Sequence, residues 1–177
     1  MGDDTEPLAS PFDVLRHPEL RRFMRWYLET RGTRRVVAPA ELDPTLFKPL
    51  LAHAYYYDHE PAGDAFRLRL AGEEIRELLP NARRGALLEE IIPTAALPLV
   101  RERYRRVVHD CAAMHAIGRV FVSMGDPGTG ERLVVPLGEE GAKPRQIFGA
   151  TFYRFARPRT GERRFSHEEM TLSFIPL

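Results

Sequence analysis

The sequence is short of several features that mark particular classes of protein. It has one cysteine, Cys111, so no intramolecular disulfide forms, and we expect a reducing compartment, the cytoplasm. No apolar run approaches the roughly 18 residues that a membrane-spanning helix needs, and the first ten residues are too polar for a signal peptide. The net charge is +1, which provides no overall field that favours nucleic acid. We therefore expect neither a membrane span nor a nucleic-acid partner.

The sequence does contain enough apolar residues for one core. Of its 177 residues, 44% are hydrophobic, which is ordinary for a single globular domain. Four regions are predicted: a disordered N-terminus over residues 1–10, a helical cap over 11–50, the core domain over 51–156 and a C-terminal tail over 157–177.

An amphipathic helix is predicted near the start of the chain. Apolar residues recur at helical spacing on one face: Leu20, Phe23, Met24, Tyr27 and Leu28. Trp26 lies off this stripe, either exposed to a partner or folded onto a neighbouring element. We predict a partner interface, within a homodimer or with another protein, that consists of Phe23, Trp26, Tyr27 and Tyr56.

The rest of the chain alternates between strand and helix patterns. Two strands, HAYYYDHE and DAFRLRLAG, flank the turn sequence PAGD and predict a hairpin. Short helical pieces fill residues 72–93, and a longer helix is predicted over 95–115. Three more strands follow, AIGRVFVSM, RLVVPLGEE and PRQIFGATFYRF. The tail carries a helix-capping pattern, Ser166 with Glu169, a cluster of arginines that favours a solvated surface over a binding site, and apolar residues near its end that must pack on something.

Residues 51–60, LAHAYYYDHE, combine two histidines with acidic residues and three tyrosines. In a strand, His53 and His59 lie roughly 20 Å apart, which is too far for one metal ion with bonds of about 2 Å. The stretch is therefore interpreted as a strand with tyrosines on both faces, and such a strand is central in its sheet. We expect no metal site.

Other reactive residues form no recognisable constellation. On the predicted long helix, His109 lies off the apolar stripe, and Cys111 is interpreted as a core residue, so no haem, flavin or other cofactor is expected. No nucleophile motif is present. An enzyme with a cone-shaped α+β fold stays an alternative, which would require His53 with Asp58, or His115 with Ser123, to converge on a cavity.

The chain resembles a bacterial group of single-domain PAS proteins, the PAS_5 type. The resemblance rests on LRRFMRWYLETRGTRRVVAPAELDP, LLAHAYYYDHEPAGDAFRLRLAGEEI, LVRERYRRVV and RLVVPLGEEGAKPRQIFGATFY, about residues 20–155. It implies an α+β fold with a five-stranded antiparallel sheet in the order 2-1-5-4-3 and helices over one face, beside the N-terminal helix.

The resemblance also implies a function in signal transduction. We expect a non-enzymatic sensory or adaptor domain that acts in trans on a signalling partner, by biasing the packing of the N-terminal helix and tail. Its small apolar ligand would occupy a pocket. Strand parity predicts the pocket lining: Phe66, Leu68, Ile91, Tyr104, Val108, Phe121, Ser123, Leu133, Val135, Phe148 and Thr151. The alternative is a filled core that serves only as an interaction scaffold.

Overall fold

Six strands and five α-helices are present in the part of the chain that the computed structural model describes, residues 14–119, 129–154 and 170–177. The helices are α1 (Pro18–Arg31), α2 (Lys48–Leu51), α3 (Glu73–Leu78), α4 (Leu88–Ile91) and α5 (Leu97–His109), with two short 3-10 turns at Pro39–Glu41 and Pro44–Phe47. The strands are β1 (Ala54–Glu60), β2 (Ala65–Ala71), β3 (Ala112–Gly118), β4 (Thr129–Leu137), β5 (Gln146–Arg154) and β6 (Met170–Pro176). The predicted N-terminal disorder and the Ser166–Glu169 cap fall outside these ranges.

The strands form one antiparallel sheet in the order β2-β1-β5-β4-β3-β6. The predicted five-strand order is confirmed, and a sixth strand is added at the β3 edge. Strand β1 lies between β2 and β5, so the tyrosine-rich stretch is interior to the sheet, as predicted. None of the helices in the described ranges is both long and apolar enough to cross a membrane.

The sheet has a buried core on each face. We call the face toward α3, α4 and α5 the inner face; it carries Tyr55, Tyr57, Val134 and Ile147. The opposite, outer face carries the residues that alternate with these along the strands: Ala54, Leu133, Val135, Phe148 and Ala150. This alternation follows from strand geometry, since successive side chains point to opposite faces.

Helix α1 covers the outer face. Its apolar stripe, Leu20, Phe23, Met24 and Tyr27, is buried against the sheet together with Phe47 and Leu50. Burial of one large apolar side chain contributes about 1.5–3 kcal/mol, so this stripe contributes an amount comparable to the whole stability of a typical domain, about 5–15 kcal/mol. The helix is therefore part of the folded core.

The long helix ends earlier than the sequence pattern predicts. Helix α5 ends at His109, and the chain turns at Cys111, whose φ of 54° is left-handed. Strand β3 then begins at Ala112, so His115 lies on a strand and the prediction of a helix to residue 115 is wrong. The run Ala112–Ala116 is buried on both faces, and a continuous apolar run of this kind fits either element by periodicity alone.

The apolar end of the tail forms the edge strand β6. It pairs with β3 along its whole length, from Gly118 opposite Met170 to Ala112 opposite Pro176. Phe174 packs with the inner-face core, where the Arg106 guanidinium lies 3.7 Å from its ring centre, whereas Ile175 packs with the outer-face core. The tail therefore contributes to both cores.

Candidate functional site

Four aromatic side chains fill the centre of the inner face. Tyr55 and Tyr57 come from β1, Phe66 from β2 and Tyr104 from α5. The contacting pairs have ring centres 5.6 to 6.2 Å apart, within the usual range for aromatic pairs. Burial raises the pKa of Tyr104 well above its ordinary value, and the neighbouring tyrosines add to that rise. Burial also raises the pKa of Tyr57, so the phenols of Tyr57 and Tyr104 are neutral hydrogen-bonding groups at physiological pH.

Two arginines bring positive charge to this aromatic group. Arg132 on β4 is 8% exposed, and its Nε donates to the Thr151 hydroxyl on β5 at 2.9 Å. Burial lowers the pKa of Arg103 on α5, and the charge of Arg132 lowers it further. The Arg103 Nε is buried and has no hydrogen-bond partner among the described residues. Like charges that are held together in a partly buried site favour an anion between them.

The Tyr55 hydroxyl is a second buried group that makes no well-formed hydrogen bond in the described part of the chain, although it lies close enough to the Tyr104 hydroxyl to raise the pKa of that group. The side chain lies flat across β5 because Gly149 has no side chain: a Cβ there would approach the Tyr55 ring to 2.6 Å. The glycine of IFGATFY thus makes room for the tyrosine of β1. A buried hydroxyl without a partner costs free energy, so a bound group that accepts its proton would stabilise this arrangement.

The structure divides the predicted pocket residues between the two faces. Residues on the inner face are Phe66, Leu68, Ile91, Tyr104, Val108 and Thr151. The placement of Leu133, Val135 and Phe148 in the same pocket is corrected, because they lie on the outer face under α1. A strand shifted by one residue exchanges its faces, and the inner positions are Val134 and Ile147. Phe121 and Ser123 lie outside the described residues.

The predicted partner interface is largely internal. Phe23 is 1% exposed and Tyr27 is fully buried, and the Tyr27 hydroxyl donates to the Pro136 carbonyl at 2.7 Å. Their assignment to a partner is therefore corrected: the chain's own helix covers this face. Trp26 and Tyr56 are only half-buried, with Trp26 folded against the rings of Phe23 and Phe47.

Of the two pairs that an enzyme would have required, His53 and Asp58 have different partners. His53 packs against the rings of Phe152 and Tyr153, whereas Asp58 forms an ion pair with Arg69 at 3.0 Å. His115 is buried on the outer face with Glu131, and Ser123 is outside the described residues. Sequence reasoning also missed a grouping of His59, Asp64 and His109, which come from the end of β1, the β1–β2 turn and the end of α5.

Glu131 anchors the start of α1. Its two carboxylate oxygens accept hydrogen bonds from the backbone N–H groups of Arg16 at 2.8 Å and His17 at 2.6 Å. Nε2 of His115 lies 2.8 Å from the same carboxylate. Burial raises the pKa of Glu131, but these hydrogen bonds outweigh it, so the pKa lies below its ordinary value. No local pattern identifies this contact, because the groups are about 115 residues apart in sequence.

The sheet order and the helices on the inner face are both expected of a PAS domain. A profile of the PAS_5 family, described as a PAS domain, matches residues 15–152. The chain belongs to the PAS_5 family. No curated protein and no solved structure matches this PAS domain.

The family match spans α1 through β5, so it includes the helix on the outer face as well as the inner-face core. Membership of the PAS_5 family indicates, in general terms, a sensory or interaction domain. The candidate site consists of the polar and aromatic groups at the inner face, which we call the tyrosine–arginine site: Tyr55, Tyr57, Arg103, Tyr104, Arg132 and Thr151.

Proposed function

We propose that this PAS domain is a non-enzymatic sensor that binds a small, mainly apolar molecule with one acidic group at the tyrosine–arginine site. Binding of the ligand would change how the domain contacts a separate signalling protein in the bacterial cytoplasm, so that the domain acts in trans. The observation that carries the proposal is that buried Arg132 and half-buried Arg103 lie beside the three buried tyrosines of the inner face. Known ligand sites combine apolar walls with a few such convergent polar groups.

Each group has a defined part in this proposal. The rings of Tyr57, Phe66 and Tyr104 would contact the apolar body of the ligand. Arg103 and the Tyr55 hydroxyl would donate to its acidic group, because neither the Arg103 Nε nor that hydroxyl makes a well-formed hydrogen bond among the described residues. Thr151 would orient Arg132 through the hydrogen bond to its Nε. The charge-assisted hydrogen bonds are the strong part of such a site.

A scaffold without a ligand is the second candidate, and a different observation favours it. The ring contacts show that the protein's own side chains fill much of the inner face. In this case the buried polar groups serve only the fold, and the output depends on the surface. Trp26 and Tyr56 are the half-buried aromatic groups that remain candidates for a contact with a partner or a second copy.

Native mass spectrometry of the purified full chain separates the two candidates. We expect a reproducible adduct that is lost on denaturation and whose mass belongs to an organic acid. The variants Tyr55→Phe and Arg103→Gln should each lower the fraction of chains with the adduct. Tyr27→Phe is the matched control, since it removes a tyrosine hydroxyl from the outer face. An adduct-free chain, or equal occupancy in Tyr55→Phe and Tyr27→Phe, would contradict the ligand proposal.

A further inference from the structure

Three metal-binding side chains converge where the β1–β2 hairpin meets the end of α5. His59 lies near the end of β1, Asp64 in the hairpin turn and His109 at the last residue of α5. One potential ligand atom from each lies within 4.8 Å of the other two. The ring centres of His59 and His109 are 5.6 Å apart. The grouping is separate from the tyrosine–arginine site and uses none of its residues.

The backbone fixes two of these groups in place. Asp64 has a φ of 48°, a left-handed conformation that aspartate tolerates better than most residues. This turn directs its carboxylate back along the hairpin, so Oδ1 lies 3.0 Å from Nε2 of His59. The His59 ring is 7% exposed and stacks on Phe66 with ring centres 4.8 Å apart. One histidine and the carboxylate are thus already oriented toward each other.

The third group comes from the helix. His109 follows Arg105 by one turn of α5, so both side chains lie on the same side of the helix. Arg105 Nε contacts the other carboxylate oxygen, Oδ2 of Asp64, at 2.7 Å, which leaves Oδ1 on the side of the histidines. Carboxylates that bind a metal are commonly held in this way by a hydrogen-bond donor behind them, which here is Arg105. His109 is exposed, so its ring is free to rotate toward the other two.

We propose that His59, Asp64 and His109 form a binding site for a divalent transition-metal ion of the zinc type. Two imidazoles and one carboxylate are a ligand set that zinc accepts, with metal–ligand bonds of about 2.0–2.2 Å. Ligand atoms around a tetrahedral ion are then about 3.3 Å apart, so the 4.8 Å grouping closes by small side-chain rotations. The exposed position of His109 leaves a fourth coordination site for water. The ion would join the hairpin to α5.

Isothermal titration calorimetry with Zn²⁺ on the untagged full chain tests the proposal. We expect one ion per chain with a dissociation constant on the order of micromolar. Asp64→Asn keeps the side-chain shape and suits the left-handed backbone, and His109→Ala removes an exposed ring. Each variant should weaken Zn²⁺ binding by about 10- to 100-fold or more. Circular dichroism should show that both variants stay folded.

Asp58→Asn is the matched control, because Asp58 lies on the same hairpin and also pairs with an arginine, Arg69. Its affinity for Zn²⁺ should stay within about twofold of the unsubstituted chain. Replacing Zn²⁺ by Co²⁺ should give visible absorption bands of a four-coordinate ion, and these bands should be lost in His109→Ala. A dissociation constant weaker than about 1 mM, or equal affinities for Asp64→Asn and Asp58→Asn, would overturn the proposal.

Discussion

The two faces of the sheet carry different buried polar groups, and these groups differ in what they contact. On the outer face, the Tyr27 hydroxyl donates to Pro136 and the Glu131 carboxylate accepts from the backbone of Arg16 and His17. On the inner side, the Tyr55 hydroxyl and the Arg103 Nε make no well-formed hydrogen bond among the described residues, and the same holds on the outer side for the Tyr56 hydroxyl and one carboxylate oxygen of Glu19. Buried polar groups are nearly always hydrogen-bonded in native proteins. The comparison therefore indicates that the hydrogen bonds of Tyr27 and Glu131 hold α1 on the outer face, whereas Tyr55 and Arg103 on the inner side are the groups that we propose for a ligand.

The largest expected effect comes from opening the outer core. Phe23→Ala removes a side chain that contacts Trp26, Tyr27, Phe47 and Phe148. It should lower the free energy of unfolding by about 3–5 kcal/mol, because it leaves a cavity under α1. Urea denaturation followed by circular dichroism measures this change. Leu46→Ala is the control: Leu46 is 42% exposed, so its loss should cost less than about 0.5 kcal/mol. Equal effects would show that α1 does not cover the core.

A smaller effect is expected when the anchor of α1 is removed. Glu131→Gln replaces a buried carboxylate that contacts His115 and two backbone N–H groups. The amide can accept through one oxygen only, so unfolding free energy at pH 7 should fall by about 3 kcal/mol. Chemical denaturation measures it. Asp43→Asn is the control, since its carboxylate bonds only within an exposed turn; an equal loss there would contradict the anchor.

The same carboxylate gives the outer face a pH dependence. The folded-state pKa of Glu131 is lowered, so its contribution to stability is present above its unfolded pKa of about 4.3. That contribution is lost as the pH falls through the lower pKa of the folded state. The unfolding free energy should therefore decrease less steeply below about pH 5 in Glu131→Gln than in the unsubstituted chain. If the unfolding free energies of the two chains fell equally steeply with decreasing pH, protonation of Glu131 would not be the cause.

How much of this comparison was predictable depends on the range of the contacts. The interior position of β1 and the stripe of α1 were predictable, because both rest on the spacing of neighbouring residues. The face on which Leu133, Val135 and Phe148 lie was not predictable, because the unknown register of β4 and of β5 decides the face for every residue of each strand. Strand β3 was misread as a helix end, since its buried run fits both elements.

The sites themselves were harder to predict than the fold. His59 and Asp64 are five residues apart, but His109 joins them only when α5 packs on the hairpin. Arg103 and Arg132 likewise approach each other from a helix and a strand. The spacing of neighbouring residues in the sequence does not reveal contacts between elements that are far apart in the chain. The fold had to be known before these polar groups could be recognised as neighbours.

We infer that the Tyr27 hydroxyl serves the fold and that the Tyr55 hydroxyl is available to a ligand. The most direct test removes each hydroxyl in turn and measures the unfolding free energy of both variants. Tyr27→Phe loses the hydrogen bond to Pro136 and should be about 1 kcal/mol less stable than the unsubstituted chain. Tyr55→Phe loses a buried hydroxyl that makes no well-formed hydrogen bond in the described part of the chain, so in ligand-free protein its stability should be unchanged or higher. A loss in Tyr55→Phe equal to that in Tyr27→Phe would contradict the claim, because the inner hydroxyl would then serve the fold.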